Sequence, residues 1–253
     1  MWATKIISLT NQKGGVAKTT TTYNLAAAKA LNGKKTLMID LDPQSSLTIS
    51  CGMEKDYKKD NICGLLDGKD PLECAYTVDA LQTDNLYLVP SDIDLAETEM
   101  KLISKTAREK KLKRAVEKFA PYFEYCFIDC PPQLSILTVN GLVAADEIII
   151  PCKTDFLAYK GLKALLSTIN SVINDPDLNP NLKITGIIAT IFESTVNDQK
   201  DVWELLHELK VPFLGTVKKS ADVPRTVYKG VPAVVSAKRS AAAKEYMKIA
   251  ELI

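Results

Sequence analysis

Residues 11–19 read NQKGGVAKT, with Lys13 directly before the pair Gly14-Gly15 and Lys18 directly before Thr19. These residue types suit a nucleoside triphosphate with a divalent cation. Glycines let backbone approach phosphate oxygens with no Cβ in the way. The amides of a turn that opens a helix aim their N–H groups at an anion. Lys18 supplies a cation for the outer phosphates, and the Thr19 hydroxyl a ligand for Mg²⁺. The spacing departs from G-x-x-x-x-G-K-[ST], since Gln12 and Ala17 stand at its two glycine positions and Lys13 is additional. Lys13, Gly14, Gly15, Val16, Ala17, Lys18, Thr19 and Thr20 are the candidate nucleotide contacts. The run Thr20-Thr21-Thr22 otherwise reads as helix and packing.

Two carboxylate segments have complementary chemistry. MIDLDPQ places Asp40 and Asp42 after one apolar run, and FIDCPP places Asp129 after another, followed by the stiff pair Pro131-Pro132. In an open parallel sheet, ligands bind beyond the carboxyl ends of the strands, so all three motifs are expected at one edge. A lone Asp after a strand is ordinarily a cap or turn residue. Three such motifs in this order point to one site.

The elements that would hold them alternate. The runs at 5–9, 35–40, 85–90, 124–129, 147–151, 183–191 and 211–217 are near-continuously apolar, as strands covered on both faces are. Helical patterns lie between them at 19–31, 107–119, 159–173, 201–209 and 240–253. This order predicts an α/β fold, a doubly wound, mainly parallel sheet with helices on both faces, as one domain over 1–253. In 107–119 the inner face is Leu112, Ala115, Val116 and Phe119. The segment 51–73 reads as a polar, turn-rich loop and 174–182 as a solvated connection.

Composition bounds the function. Over 253 residues the formal charge is +1, with 46% hydrophobic and 25% charged residues, which argues against a uniformly basic nucleic-acid binder. No secretory signal or membrane-length apolar run is visible, so the expected location is cytoplasmic. The six cysteines lack any C-x-x-C pair and read as reduced thiols. The single histidine, His207, nearly excludes zinc-histidine sites and Ser-His-Asp triads.

The combination of KGGVAKT, DLDPQ and FIDCPP resembles the ParA/MinD family of deviant Walker-A ATPases, whose first motif is K-G-G-x-G-K-[ST]. The likeness continues through LTVNGLVAADEIIIP and KGVPAVVSAKRSAAAKEY, and is strongest to the small ParA/Soj branch. The resemblance implies ATP and Mg²⁺ as cofactors and an ATP-sandwich homodimer in which Lys13 reaches the partner's nucleotide. It also implies Lys18 on the phosphates, Thr19 on Mg²⁺, Asp42 orienting the attacking water, and Asp40 and Asp129 near the metal shell. Lys13, Lys18 and Asp42 are then the catalytic set. Three positions depart from the family: Ala17 and Ser45 replace glycines, and Lys218 replaces a proline. The phosphate loop is expected to tolerate Ala17: a helix-like φ would accommodate its methyl group, whereas a positive φ would strain the loop.

The family further implies a partition or positioning ATPase. It would bind non-specific double-stranded DNA as the ATP dimer, become nucleoid-associated, and be released when a ParB-type adaptor stimulates hydrolysis. Charge distribution fits: from residue 210 onward nine basic residues face three acidic ones, a net of +6, leaving −5 for the rest. Lys218, Lys219, Arg225, Lys229, Lys238 and Arg239 are the DNA-binding candidates, ahead of Lys244 and Lys248 on the final helix. A MinD-like membrane ATPase is the first alternative. Against it, the stripe Tyr246, Ile249, Ala250 and Ile253 reads as core-docked rather than lipid-facing, so no membrane contact is expected. An electron-transfer iron protein is the second; it would need cluster cysteines at the dimer axis, where only Cys130 is near.

Overall fold

A computed structural model describes residues 4–53, 60–81 and 83–253. Among the described residues eight strands form one sheet: β1 (Lys5–Leu9), β2 (Thr36–Asp40), β3 (Tyr76–Thr77), β4 (Leu86–Val89), β5 (Tyr125–Asp129), β6 (Glu147–Lys153), β7 (Lys183–Phe192) and β8 (Phe213–Lys218). Their order is β3-β4-β2-β5-β1-β6-β7-β8, and every pairing is parallel except β3 with β4. The seven expected strands are all present. The antiparallel edge strand β3 was not anticipated, because two residues carry no periodicity.

The continuous apolar runs are explained by burial on both faces. Along β2 and β5, Leu37, Ile39, Cys126 and Ile128 enter one core with Phe119 and Leu112, while Met38 and Phe127 enter another with Ile7 and Leu9. The second core is closed by the helix α1 (Lys18–Leu31) and by the final helix, Ala241–Leu252. Tyr246, Ile249, Ala250 and Ile253 are all buried there, as their spacing required, and the Tyr246 hydroxyl lies 3.2 Å from Thr21 Oγ1. Lys29 of α1 donates to the Ile253 carbonyl at 2.5 Å, a second tie between the two helices.

Two expectations are modified. Residues 107–119 form three short helical pieces rather than one helix, although Leu112, Ala115, Val116 and Phe119 are buried as predicted. Within 51–73 the helices Ile62–Asp67 and Pro71–Cys74 appear, each started by an Asn61 or Asp70 side-chain cap, and residues 54–59 lie outside the described residues. No helix among the described residues is long and apolar enough to cross a membrane.

The topology positions the site. Strand β1 sits between β5 and β6, and Leu9, Asp129 and Asp40 are in register across β1, β5 and β2. The loop after β1 therefore emerges beside both carboxylate segments.

Candidate active site

The loop 10–17 turns from β1 into α1. Gly15 has φ 70°, which glycine adopts freely. An added Cβ at Gly14 or Gly15 would meet nothing within 4 Å, so packing of the protein itself does not require glycine there, whereas a close-approaching phosphate would. The first turn of α1 has no side-chain cap and no acidic residue, leaving its N–H groups for an anion. In the same loop Gln12 Nε2 is buried and has no hydrogen-bond partner among the described residues.

Ala17 falls in the strained of the two cases left open by the sequence. Its φ of 61° and ψ of 33° are left-handed, not helix-like, so the methyl group is strained where most of the family has glycine. Ser45, the second glycine departure, is likewise left-handed at φ 54° and begins the short helix α2 (Ser46–Ser50).

The two lysines have different surroundings. Lys18 is 8% exposed and donates to the Lys13 carbonyl at 3.2 Å, with no ion pair among the described residues. Burial lowers its pKa, opposed by Asp129, Cys130 and Asp42. An incoming phosphate would supply the missing counter-charge. Lys13 Nζ instead pairs with Asp155 Oδ1 at 2.5 Å, turned toward the start of the Phe156–Asn174 helix. Asp155 also caps that helix by accepting from Ala158 N, and the exposed Phe156 and Leu157 follow it.

The carboxylates separate into three roles. Asp129 Oδ2 accepts from Thr19 Oγ1 at 2.7 Å and Oδ1 from Thr22 Oγ1 at 3.2 Å. It thus holds the Thr19 hydroxyl, whose oxygen keeps lone-pair capacity for a cation. Burial pushes the Asp129 pKa up to about 6. Asp40 is fully buried, its Oδ2 taken by Thr48 N and Oγ1 and its Oδ1 by Asp42 N. Burial and then neighbouring Asp129 raise its pKa to about 7. Asp40 therefore stands behind the cleft and braces α2. Asp42 is half-buried on the cleft wall, with Gln44 N donating to its Oδ1 at 2.9 Å.

Two concavities flank the loop. A cleft of about 450 Å³ is lined by Gly14, Lys18, Thr19, Asp42, Gln44 and Pro132 among others. A more apolar pocket of about 530 Å³ shares Gly15, Ala17 and Thr20 with it and is walled by Ile191, Val217, Val223 and Pro224. Ile191 has φ 55°, a strained conformation for a β-branched residue. Lys218 and Lys219, expected on a DNA surface, line this pocket, and Lys219 pairs with Glu193 at 3.0 Å. Arg225, Lys229, Lys238 and Arg239 are exposed.

A family described as the AAA domain matches residues 4–184. The sporulation initiation inhibitor protein Soj of Bacillus subtilis is 37% identical over 98% of this chain and 97% of its own length. The chain belongs to the ParA/MinD family, close to its Soj/ParA branch. Among solved structures, cobyrinic acid a,c-diamide synthase from Mycobacterium smegmatis with bound ATP analogue and magnesium is 33% identical, with a TM-score of 0.84 over 98% of this chain and 93% of that one. A plasmid partition protein from Borrelia burgdorferi is 26% identical, with a TM-score of 0.79 over 99% and 97%. ATP and Mg²⁺ are accordingly the cofactors of this ParA/MinD-family site, and the residues present fit them: open glycines, a buried unpaired lysine and a held threonine hydroxyl. Thr19 would hold Mg²⁺, which would neutralise charge on the outer phosphates.

Sequence reasoning missed Thr22, Thr48, Asp155 and the apolar pocket. Thr22 could have been found, since it lies four residues after Lys18 on a helix and so faces the same side. Of the alternatives, the iron-protein reading loses its cysteine: Cys130 is 1% exposed with Sγ 3.1 Å from Ser8 Oγ. All six cysteines are free thiols, and five are buried. His207 packs between Trp203 and Phe213, with ring centroids 3.8 Å from each, and its Nδ1 donates to the Trp203 carbonyl.

Proposed function

We propose that residues 1–253 act as a single ATPase domain that switches between a monomer and an ATP-sandwich homodimer. The dimer binds non-specific double-stranded DNA and is released when a ParB-type adaptor stimulates hydrolysis. The supporting observation is the division of labour between the two loop lysines. Lys18 is buried in the cleft wall, while Lys13 is held outside it by Asp155, beside exposed Phe156 and Leu157. A cation so placed serves a neighbouring subunit's phosphates better than its own, in the manner of an arginine finger. To do so, Lys13 must leave Asp155.

Within the cleft, Lys18, the loop amides and the α1 N-terminus bind the phosphates, and Asp129 fixes the Thr19 hydroxyl on the metal. Asp42, which lines the same cleft, orients the attacking water. The apolar pocket seats the adenine against Ile191, Val223 and Pro224. The protein acts in the cytoplasm, on the nucleoid when ATP-bound.

Sedimentation with ATP and Mg²⁺ tests the reading. The unmodified chain should dimerise, and Lys13→Ala should bind ATP yet remain monomeric; a Lys13→Ala dimer of normal affinity would remove the trans role. On random-sequence duplex, binding should need ATP. If each protomer neutralises about three phosphates, log K should fall with log salt at a slope of about −5. Binding that ignores ATP would defeat the DNA reading.

A further inference from the structure

A second surface lies at the far end of α1, roughly 20 Å along the helix axis from Lys18 at 1.5 Å per residue. It is a groove of about 510 Å³ between the end of α1, the short helix Ala233–Ser236 and the final helix. Its floor is Leu31, Val234, Ala243 and Met247, and its rim is Lys238, Lys244 and Lys248. Val234 and Ala243 are buried, whereas Leu31 remains 39% exposed.

The rim charges have little compensation among the described residues. Lys244 and Lys248 are four apart on one helix face, a spacing at which like charges repel. Lys248 has only Glu245 at 3.9 Å, and among the described residues Lys238 and Lys244 have no ion pair.

We propose that this groove takes an acidic amphipathic helix of a partner protein. Apolar side chains at i, i+3, i+4 and i+7 would fill the floor, and flanking carboxylates would meet the three lysines. The shape favours a helix over a lipid surface, because the apolar groups lie in a concavity rather than on protruding side chains that insert into a bilayer. It favours a helix over duplex DNA, because phosphates and sugars carry little to cover an apolar floor and protein–DNA interfaces are polar. The lysine methylenes extend the apolar walls while their ammonium groups stay at the rim. The occupant leaves the nucleotide cleft open, so it can ride on the protein through a nucleotide cycle. It competes with duplex only for Lys238. The final helix bears this groove on one side and places Tyr246 against Thr21 on the other, so one rigid element touches both places.

The test uses the full chain without nucleotide, which separates it from the ATPase reading. A fluorescein-labelled helical peptide of about five turns, leucine at i, i+3, i+4 and i+7 and glutamate elsewhere, is titrated by anisotropy. A scrambled peptide of the same composition and a glutamate-to-lysine peptide are the controls. The acidic amphipathic peptide should bind at least tenfold tighter than either. Lys244→Glu with Lys248→Glu should weaken it at least tenfold, and so should Leu31→Asp, each variant keeping its circular dichroism and ATP binding. Equal binding of the scrambled peptide, or undiminished binding by both variants, would overturn the proposal. So would an absence of peptide binding together with variant-sensitive binding of phosphatidylglycerol vesicles, which would assign the groove to a membrane, or of duplex, which would assign it to DNA.

Discussion

In the phosphate cleft nearly every charged side chain is held, while most basic side chains from 218 to 248 have no ion pair among the described residues. Lys13 is held by Asp155, Lys18 by a loop carbonyl, Asp129 by two threonines, Asp40 by Thr48 and Asp42 by the Gln44 amide. Among the basic residues of the later stretch, Lys219 pairs with Glu193 and Lys248 weakly with Glu245. Chemistry on a phosphate needs groups fixed before the substrate arrives, because reorganisation then costs nothing at the reacting centre. Attraction to a polyanion or an acidic helix needs only charge near a surface, and exposed lysines supply it. The cleft should therefore be intolerant of single changes and the surface tolerant of them.

The sharpest break is Lys18→Ala. ATP affinity should fall at least about 100-fold, read by calorimetry, with thermal stability unchanged or raised because a desolvated ammonium is removed. A loss of less than tenfold would mean that the loop amides alone carry the phosphates. Next, Asp42→Ala should slow hydrolysis about 30-fold in single-turnover assays while ATP binding persists. Asp40→Ala should instead lower stability by about 2 kcal/mol, since the Thr48 amide and hydroxyl both lose their shared acceptor; equal effects on hydrolysis from the two would erase the distinction between them. On the surface, Lys219→Glu with Arg225→Glu should weaken duplex binding about tenfold and leave ATP dimerisation intact, whereas either change alone should be mild. Smallest, Ala17→Gly should raise stability by about 1 kcal/mol, seen as a higher urea midpoint; a drop would show that the αL methyl group is accommodated without strain.

The fold was legible because seven apolar runs, unbroken by polar alternation, signal strands buried on both faces, and their ends carry the motifs. Lys18, Thr19 and Asp129 converge as their motifs imply, since strand register places Leu9, Asp129 and Asp40 side by side. The partners of those residues were not legible. Asp155 lies 142 positions from Lys13, and only folding brings the loop after β6 beside the loop after β1. The backbone conformation of Ala17 was equally hidden, because alanine prefers the helical region and nothing local overrides that preference. The basic stretch was visible as a count but not as a shape: Lys218 and Lys219 border the apolar pocket by the phosphate loop, while Lys238 belongs with Lys244 and Lys248.

The edge strand β3 bears on how the protein behaves when crowded. A sheet of parallel strands ends in open rows of amides and carbonyls, and a long, flat edge of that kind invites the next molecule to add a strand. Here Tyr76 and Thr77 pair with Leu88 and Tyr87, and Val78 N donates to the Leu86 carbonyl, so the rim of β4 is occupied. What remains outward is a strand of two residues, too short to template fibril growth. Molecules gathered densely on a shared scaffold can then touch along this side without polymerising through their sheets.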